Sequence, residues 1–350
     1  MSIPIQNLYY LLSYAWDRLD EKDMVQVDAT TCATIQDLCA RVLINATRML
    51  VRRGIEKNYV SKTEDLPGVK GKANISDTVK RDLLRRGKAA CSFDEFSADI
   101  LANRILLTTL RNLLRTRNLD ATLKTQILPV VRMLSDIRPI QITDSLFAQV
   151  RLHRNNRFYG FILNVCQLVH TNTLPTEDPG TLRFKDFTRD EAQMNRLFEA
   201  FLRNFYRREQ STYPTVRSEI IHWHFTAADS TSESYLPQMK TDITLENDTQ
   251  KIILDAKYYR DTLSTHYEQD RLHSANLYQL FSYLLNQHSA EQKTFETRGI
   301  LVYPQTDKHH DLRFQYHEHT IEIRTVDLNQ DWKQIEQRLL AIIDFAPVAT

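Results

Sequence analysis

Residues 236–258, LPQMKTDITLENDTQKIILDAKY, leave the backbone few choices. Met239–Leu245 is a short run of mixed pattern and Lys251–Leu254 a β-branched, apolar one, and Glu246-Asn247-Asp248 between them is a turn signal. The spacing predicts a hairpin. Asp255 and Lys257 stand two apart on its second strand and so share one face. A tight hairpin brings Asp242 alongside them, and the three charges then meet in one small site.

Each of these residue types has a task in phosphodiester chemistry. Mg²⁺ takes oxygen ligands and keeps several waters, so Asp242 and Asp255 with a phosphate oxygen hold it without an all-protein cage, and the Ala256 carbonyl adds a further oxygen. Such an ion lowers the pKa of a bound water and offsets charge on the phosphorus centre. Lys257 is suited to orient that water or steady the transition state as a compact positive charge. After the hairpin, Ser274–Asn286 reads as a helix with Gln279 and Tyr283 four apart on one face. Upstream, Met194–Glu209 is an amphipathic helix with Leu197, Phe201, Leu202 and Phe205 as its apolar stripe, and its Glu199 is a candidate further metal ligand.

The D…DxK pattern resembles the PD-(D/E)xK nuclease superfamily, although Pro237 and Asp242 stand farther apart than that name suggests. The QxxxY element formed by Gln279 and Tyr283 is similar to one that lines the active site in the RecB-like branch. The order helix, strand (Glu219–Phe225), hairpin, helix, strand (Gly299–Tyr303) is the core this resemblance implies. Further blocks narrow it. IPIQNLYYLLSYAWDRL, LPGVKGKANISDTV, SFDEFSADILANRILLTTL, RFKDFTRDEAQMNRLFEAF, TDITL, ILDAKYY, NLYQLFSYL and LVYP, in that order, look like the McrC family across nearly the whole chain. That resemblance implies the nuclease subunit of a modification-dependent restriction system, joined in a hetero-oligomer to a GTP-driven AAA+ ring of McrB type. It also implies stimulation of the ring's hydrolysis and cleavage of double-stranded DNA carrying modified cytosine. GTP then belongs to the partner and Mg²⁺ to this chain.

Length and composition set the frame. At 350 residues the chain suggests two domains. Its 45 Lys and Arg against 44 Asp and Glu leave a net charge of +1, which alone gives no reason to expect nucleic acid. Distribution says more, because residues 101–160 carry a net +7 and the remainder a net −6. That segregation suggests an anionic partner near the middle of the chain. Within it, a helix over Asn103–Asn118 sets Arg104, Arg111 and Arg115 in a stripe, and Arg151, Arg154 and Arg157 extend the basic region. Cys32, Cys39, Cys91 and Cys166 form no CxxC pair and read as buried reduced thiols, and no apolar run reaches membrane-span length. A cytoplasmic protein is expected.

The opening segment places Leu8, Leu11, Leu12, Ala15, Trp16 and Leu19 on one helical face, and Thr34–Arg53 is a second helix with Gly54 as its stop. The cluster Pro67-Gly68…Lys70-Gly71-Lys72 is shorter than a phosphate-binding loop and ends in Ala73 where that loop needs a hydroxyl. It reads as an exposed turn, a solvated loop or a surface for the partner ring. Pro175 and Pro179-Gly180 mark a boundary. The expectation is therefore a mostly helical α+β domain over residues 1–180 that docks on the partner, then an α/β PD-(D/E)xK restriction-endonuclease-like core over residues 181–350. The rival expectations are a self-sufficient Mg²⁺-dependent nuclease and an adaptor whose nuclease fold is inert.

Overall fold

The computed structural model describes residues 3–17, 32–152, 156–176, 178, 180–225, 232, 234–259, 264–266, 269–271, 273–287, 296–306, 308–317 and 319–344. Leu19, Arg154 and Pro179, named above, lie outside them. The chain forms two compact units, Met1–Asp20 with Asp186–Thr350, and Glu21–Lys185. The opening helix thus clusters with the C-terminal part and not with the residues that follow it. No described helix is long and apolar enough to cross a membrane.

Helix α1 (Ile5–Ala15) has no side-chain cap, and tertiary contacts hold it in place. It buries Leu8, Leu11, Leu12 and Tyr14. Asn7 Nδ2 donates to the carbonyls of Leu328 and Gln330 at 2.9 and 2.8 Å. Tyr10 stacks on Trp332 with ring centroids 4.4 Å apart, and Tyr14 packs on Phe201 and Phe205.

The Glu21–Lys185 unit joins helices to a small antiparallel sheet. Helix α2 (Ile35–Arg53) begins in a capping box between Thr34 and Asp37 and stops at Gly54, whose φ of 92° suits glycine. It packs with α3 (Leu101–Arg115), α4 (Ala121–Arg132) and α5 (Arg157–Thr171). The sheet order is β1 (Asn58–Leu66), β3 (Ala89–Ser97), β2 (Lys72–Ala73). All four cysteines are buried.

One expectation for this unit changes, that of a single basic stripe over Arg104, Arg111 and Arg115. The stripe Arg104, Arg111, Arg115 is not one uniform solvated face. Arg104 turns onto buried Asp99, with bonds of 2.7 and 2.6 Å, and Arg138 joins it at 2.7 Å. The two guanidiniums outweigh the cost of burial and hold the Asp99 carboxyl well below the usual range. Arg115 Nε donates to the Gly180 carbonyl at 2.7 Å, while Arg111 is exposed. The Gly-Lys segment is the exposed turn expected of it, and a tight one, because a Cβ on Gly71 (φ 67°) would stand 2.5 Å from the Ser92 carbonyl oxygen.

In the other unit, a mixed sheet of six strands runs β8 (Asp311–Tyr316), β9 (His319–Val326), β7 (Glu296–Pro304), β6 (Gln250–Ala256), β5 (Ile243–Glu246), β4 (Thr215–Arg217). β6, β7 and β9 are parallel, and the other pairings are antiparallel. The longer helices of this unit among the described residues, besides α1, are α6 (Glu191–Glu209), α7 (Ser274–Leu285) and α8 (Trp332–Ile343). Helix α7 lies close over the sheet at Gly299, where a Cβ would meet Leu280 and Leu284 at 3.0 Å. Ile253, Leu280, Tyr283, Leu284, Leu301 and Tyr303 share the core beneath it.

The strand expected over Glu219–Phe225 is only Ile220–Ile221, paired with Met239–Lys240 outside the main sheet. Thr215–Arg217 takes the edge position instead. The polar run His222-Trp223-His224 gives a longer strand little to bury: His222 and His224 are exposed, and the indole of Trp223 donates to the Pro237 carbonyl.

Candidate active site

The hairpin forms as its residues dictate. Asn247 Oδ1 accepts from the backbone N–H groups of Thr249 and Gln250 at 3.0 and 2.8 Å, and the Asn247 N–H donates to the Gln250 carbonyl. The β5–β6 ladder pairs Lys251 with Glu246 through to Leu254 with Ile243. One step further along the same register places Asp255 opposite Asp242, on one face. Because the backbone pairing has ended there, a side chain closes the rung, and the Ala256 N–H donates to Asp242 Oδ2 at 2.9 Å. The Lys257 N–H donates across to the Val302 carbonyl at 3.0 Å, so the strand keeps its β7 neighbour while its β5 edge opens. In extended backbone the N–H and C=O of one residue share an edge. The Ala256 carbonyl accordingly faces the gap beside Asp242.

Asp255 is fully buried and Lys257 mostly so. The ammonium lies 2.8 Å from Asp255 Oδ2, an ion-pair distance, yet neither Asp255 oxygen has a well-directed hydrogen-bond donor. Burial, followed by the Asp242 charge, raises the Asp255 pKa above the ordinary carboxylate range. Burial raises Asp242 too, against the pull of Lys257 and the Ala256 N–H. For Lys257 burial works against the charge, but Asp255 and then Asp242 outweigh it and the pKa rises. The two carboxylates therefore share a site with the Lys257 ammonium, with acceptor capacity left over.

Gln279 and Tyr283 meet as the four-residue spacing requires. Gln279 Nε2 donates to the Tyr283 hydroxyl, which donates to the Lys240 carbonyl, both at 2.8 Å. Tyr283 is buried and Gln279 exposed. Burial, followed by the Asp255 and Asp242 charges, raises the Tyr283 pKa against the Gln279 bond. Tyr283 thereby ties α7 to the segment that leads into Asp242.

Glu199, on α6, feels the same site: burial and then Asp242 raise its pKa, partly offset by Arg203 and Lys257. Its carboxylate is bound to the Arg203 guanidinium one turn on. Among the described residues no group of three or more His, Cys, Asp and Glu side chains is gathered for a metal. The candidate set is thus Asp242 and Asp255 with the Ala256 carbonyl. It fits a hard cation that keeps most of its waters, because neither buried Asp255 oxygen has a well-directed hydrogen-bond donor and the Lys257 ammonium stands beside only one of them.

Sequence reasoning missed Asn195 and Arg203. The Asn195 Oδ1 accepts the Tyr258 N–H at 2.8 Å, and Arg203 Nε donates to the Asp242 carbonyl at 3.2 Å. Their one signal in the sequence is position, one turn either side of Glu199. Asn276 was missed as well; it donates to the Tyr303 hydroxyl at 3.0 Å beneath the site.

Fold and site together define a mixed helix-and-sheet protein with a buried pair of carboxylates and a lysine at the open end of a hairpin. Comparison places that class more closely. A family profile described as "McrBC 5-methylcytosine restriction system component" matches residues 5–304. The chain is 34% identical over 342 residues to the Type IV methyl-directed restriction enzyme EcoKMcrBC of Escherichia coli (strain K12), covering 98% of this chain and 97% of the relative. It also aligns at a TM-score of 0.56 and 18% identity with a chain of the refined half-complex from the tetradecameric assembly of Thermococcus gammatolerans McrB AAA+ hexamers with bound McrC. That alignment covers 97% of this chain and 76% of the other, a likeness of fold. The chain belongs to the McrBC 5-methylcytosine restriction system component family.

Proposed function

We propose that this chain is the DNA endonuclease subunit of a GTP-dependent restriction complex, that it cuts double-stranded DNA bearing modified cytosine, and that it works joined to an AAA+ GTPase ring of McrB type whose turnover it stimulates. The observation that carries the nuclease reading is the placement of Asp242 and Asp255 as opposed carboxylates one step beyond the last hairpin rung, with Lys257 beside them. We read the surrounding helices and mixed sheet as a PD-(D/E)xK core. Family membership and the relative's description as a methyl-directed restriction enzyme support the choice of substrate.

Asp242, Asp255 and the Ala256 carbonyl would hold Mg²⁺. Bound there, the ion supplies a lowered water pKa and charge compensation at the phosphate. Lys257 offers a fixed ammonium to the attacking water or to the charge that develops on the scissile phosphate, and Asp255 keeps it protonated. Tyr283 and Gln279 hold the Asp242 approach from α7, and the exposed Gln279 is the member of the pair that a bound strand can reach. In the Glu21–Lys185 unit, Val69 beside Lys70 is exposed, as is Ile75 three residues after Lys72, and Lys70 Nζ lies 3.9 Å over the Phe93 ring. We assign the ring contact to that surface.

Purified chain with the ring, GTP and Mg²⁺ should cut DNA carrying 5-methylcytosine and spare unmodified DNA, and a chelator should stop cleavage. Cutting of either DNA by the chain with Mg²⁺ alone would overturn the dependence on a motor. Full stimulation of GTP turnover with no cleavage under any condition would make the chain an inert adaptor.

A further inference from the structure

Beyond the last rung of the hairpin, the backbone that carries Asp242 and Lys257 has lost its β5–β6 pairing, and something else must hold it. Helix α6 does so on both strands. Asn195 accepts the N–H of Tyr258, the residue after Lys257, and Arg203 donates to the carbonyl of Asp242 itself. These side chains stand eight positions apart on one helical face, about 12 Å along the axis, with Glu199 midway between them. Arg203 also binds the Glu199 carboxylate, so the negative group nearest Asp242 on α6 is charge-matched within its own helix. The helix is firmly seated, since Phe198, Phe201, Leu202 and Phe205 are completely buried.

We propose that Asn195 and Arg203 are positioning residues of the cleavage site: Arg203 sets the place of Asp242 for the metal, and Asn195 sets the place of Lys257 for the water or the phosphate. This rests on the nuclease reading above. The two act on different groups, so their losses separate. Partners of this kind are worth about 10–100-fold in metal affinity or activity.

The test uses the full chain with its GTPase ring and DNA carrying 5-methylcytosine. Cleavage is followed against Mg²⁺ concentration, and Mg²⁺ is titrated by calorimetry into the full chain without DNA. Arg203→Ala should raise the half-saturating Mg²⁺ for cleavage and weaken the calorimetric Kd, each by about tenfold. Arg203→Lys, which keeps the charge beside Glu199 without the fork, should recover only part. Asn195→Ala should leave both Mg²⁺ titrations where they were and lower cleavage at saturating Mg²⁺ by about tenfold, and Asn195→Asp, able to accept the same Tyr258 bond, should restore cleavage. If an alanine variant fails to fold, the Lys and Asp variants carry the same comparison. Alanine variants that match the native chain in both readouts, or that lose both in step with thermal stability, would overturn the assignment. An Asp255→Ala control keeps the two levels apart: normal cleavage by that variant removes the nuclease reading itself, whereas an inactive control beside unaffected Asn195 and Arg203 variants removes only this inference.

Discussion

Asp255 carries its carboxyl where burial and a neighbouring carboxylate both oppose ionisation, and this has a measurable cost. Its folded pKa is raised, so between the usual carboxylate range and that raised value the native state binds more protons than the unfolded chain. Stability must then fall as pH rises through that window. Asp255→Asn removes the titration. In chelator, from about pH 4 to about pH 8, the variant should gain on the native protein by about 1.4 kcal/mol for each unit that the pKa is raised, read from thermal or urea unfolding at each pH. The constant offset between the two also contains the loss of Lys257's partner, so the trend with pH is diagnostic. A difference that stays flat contradicts an ionisation opposed by the fold. The shared face of Asp255 and Lys257 was legible from period alone, and so was Asp242's arrival, once the turn was recognised. That Asp255 lies fully buried without a directed donor was not, because burial depends on α7 and β7, which the hairpin sequence does not specify.

At the scale of elements, the approach of α7 to the sheet decides whether Tyr283 reaches the Lys240 carbonyl. Gly299 permits it. Gly299→Val should force Leu280 and Leu284 from their positions and cost about 1–3 kcal/mol by overpacking, with a loss of cleavage larger than the loss of folded protein. Gly299→Val enzyme with native stability and native turnover would show that this contact does not govern the site. In the other unit, Gly71→Ala should destabilise the Lys70–Lys72 turn, since both its positive φ and the Ser92 carbonyl exclude a side chain. Reduced GTPase stimulation with unchanged cleavage chemistry is the expected result in the complex. Element existence was well signalled: Thr34 and Gly54 bracket α2, and the apolar stripe of α6 is plain. The fate of the basic stripe was not, because Arg104's partner Asp99 precedes the helix and Arg138 reaches it from beyond α4. Salt-dependent DNA binding carried by all three arginines is therefore no longer expected, and Arg111→Ala is the substitution to test first. It should weaken association at low salt and reduce the salt slope by about one, or leave both unchanged if this face does not meet DNA.

For the whole molecule, we propose a division of labour that follows the two compact units, Met1–Asp20 with Asp186–Thr350 and Glu21–Lys185. A fragment of residues 1–180 leaves the apolar face of α1 without Phe201, Phe205 and Trp332, its contacts in the intact chain. Residues 21–185 should give the better-behaved fragment, and that fragment should stimulate the ring's GTPase. Neutralising Lys70 and Lys72 within it should reduce the effect. Stimulation by a fragment of residues 186–350 equal to that of the full chain would contradict this placement. Sequence periodicity identified α1 as amphipathic yet could not say which core its face joins, because contacts more than 180 residues away settle that, as between Tyr14 and Phe201. The central claim is that phosphodiester cleavage resides at Asp242, Asp255 and Lys257 while GTPase stimulation resides elsewhere. It is tested most directly by one sample: the Asp255→Ala chain assembled with the ring, GTP, Mg²⁺ and 5-methylcytosine DNA, with GTP turnover and strand cleavage followed together. Native GTP turnover is expected, with cleavage lower by about a thousandfold or more. Cleavage at the native rate by that variant would contradict the central claim.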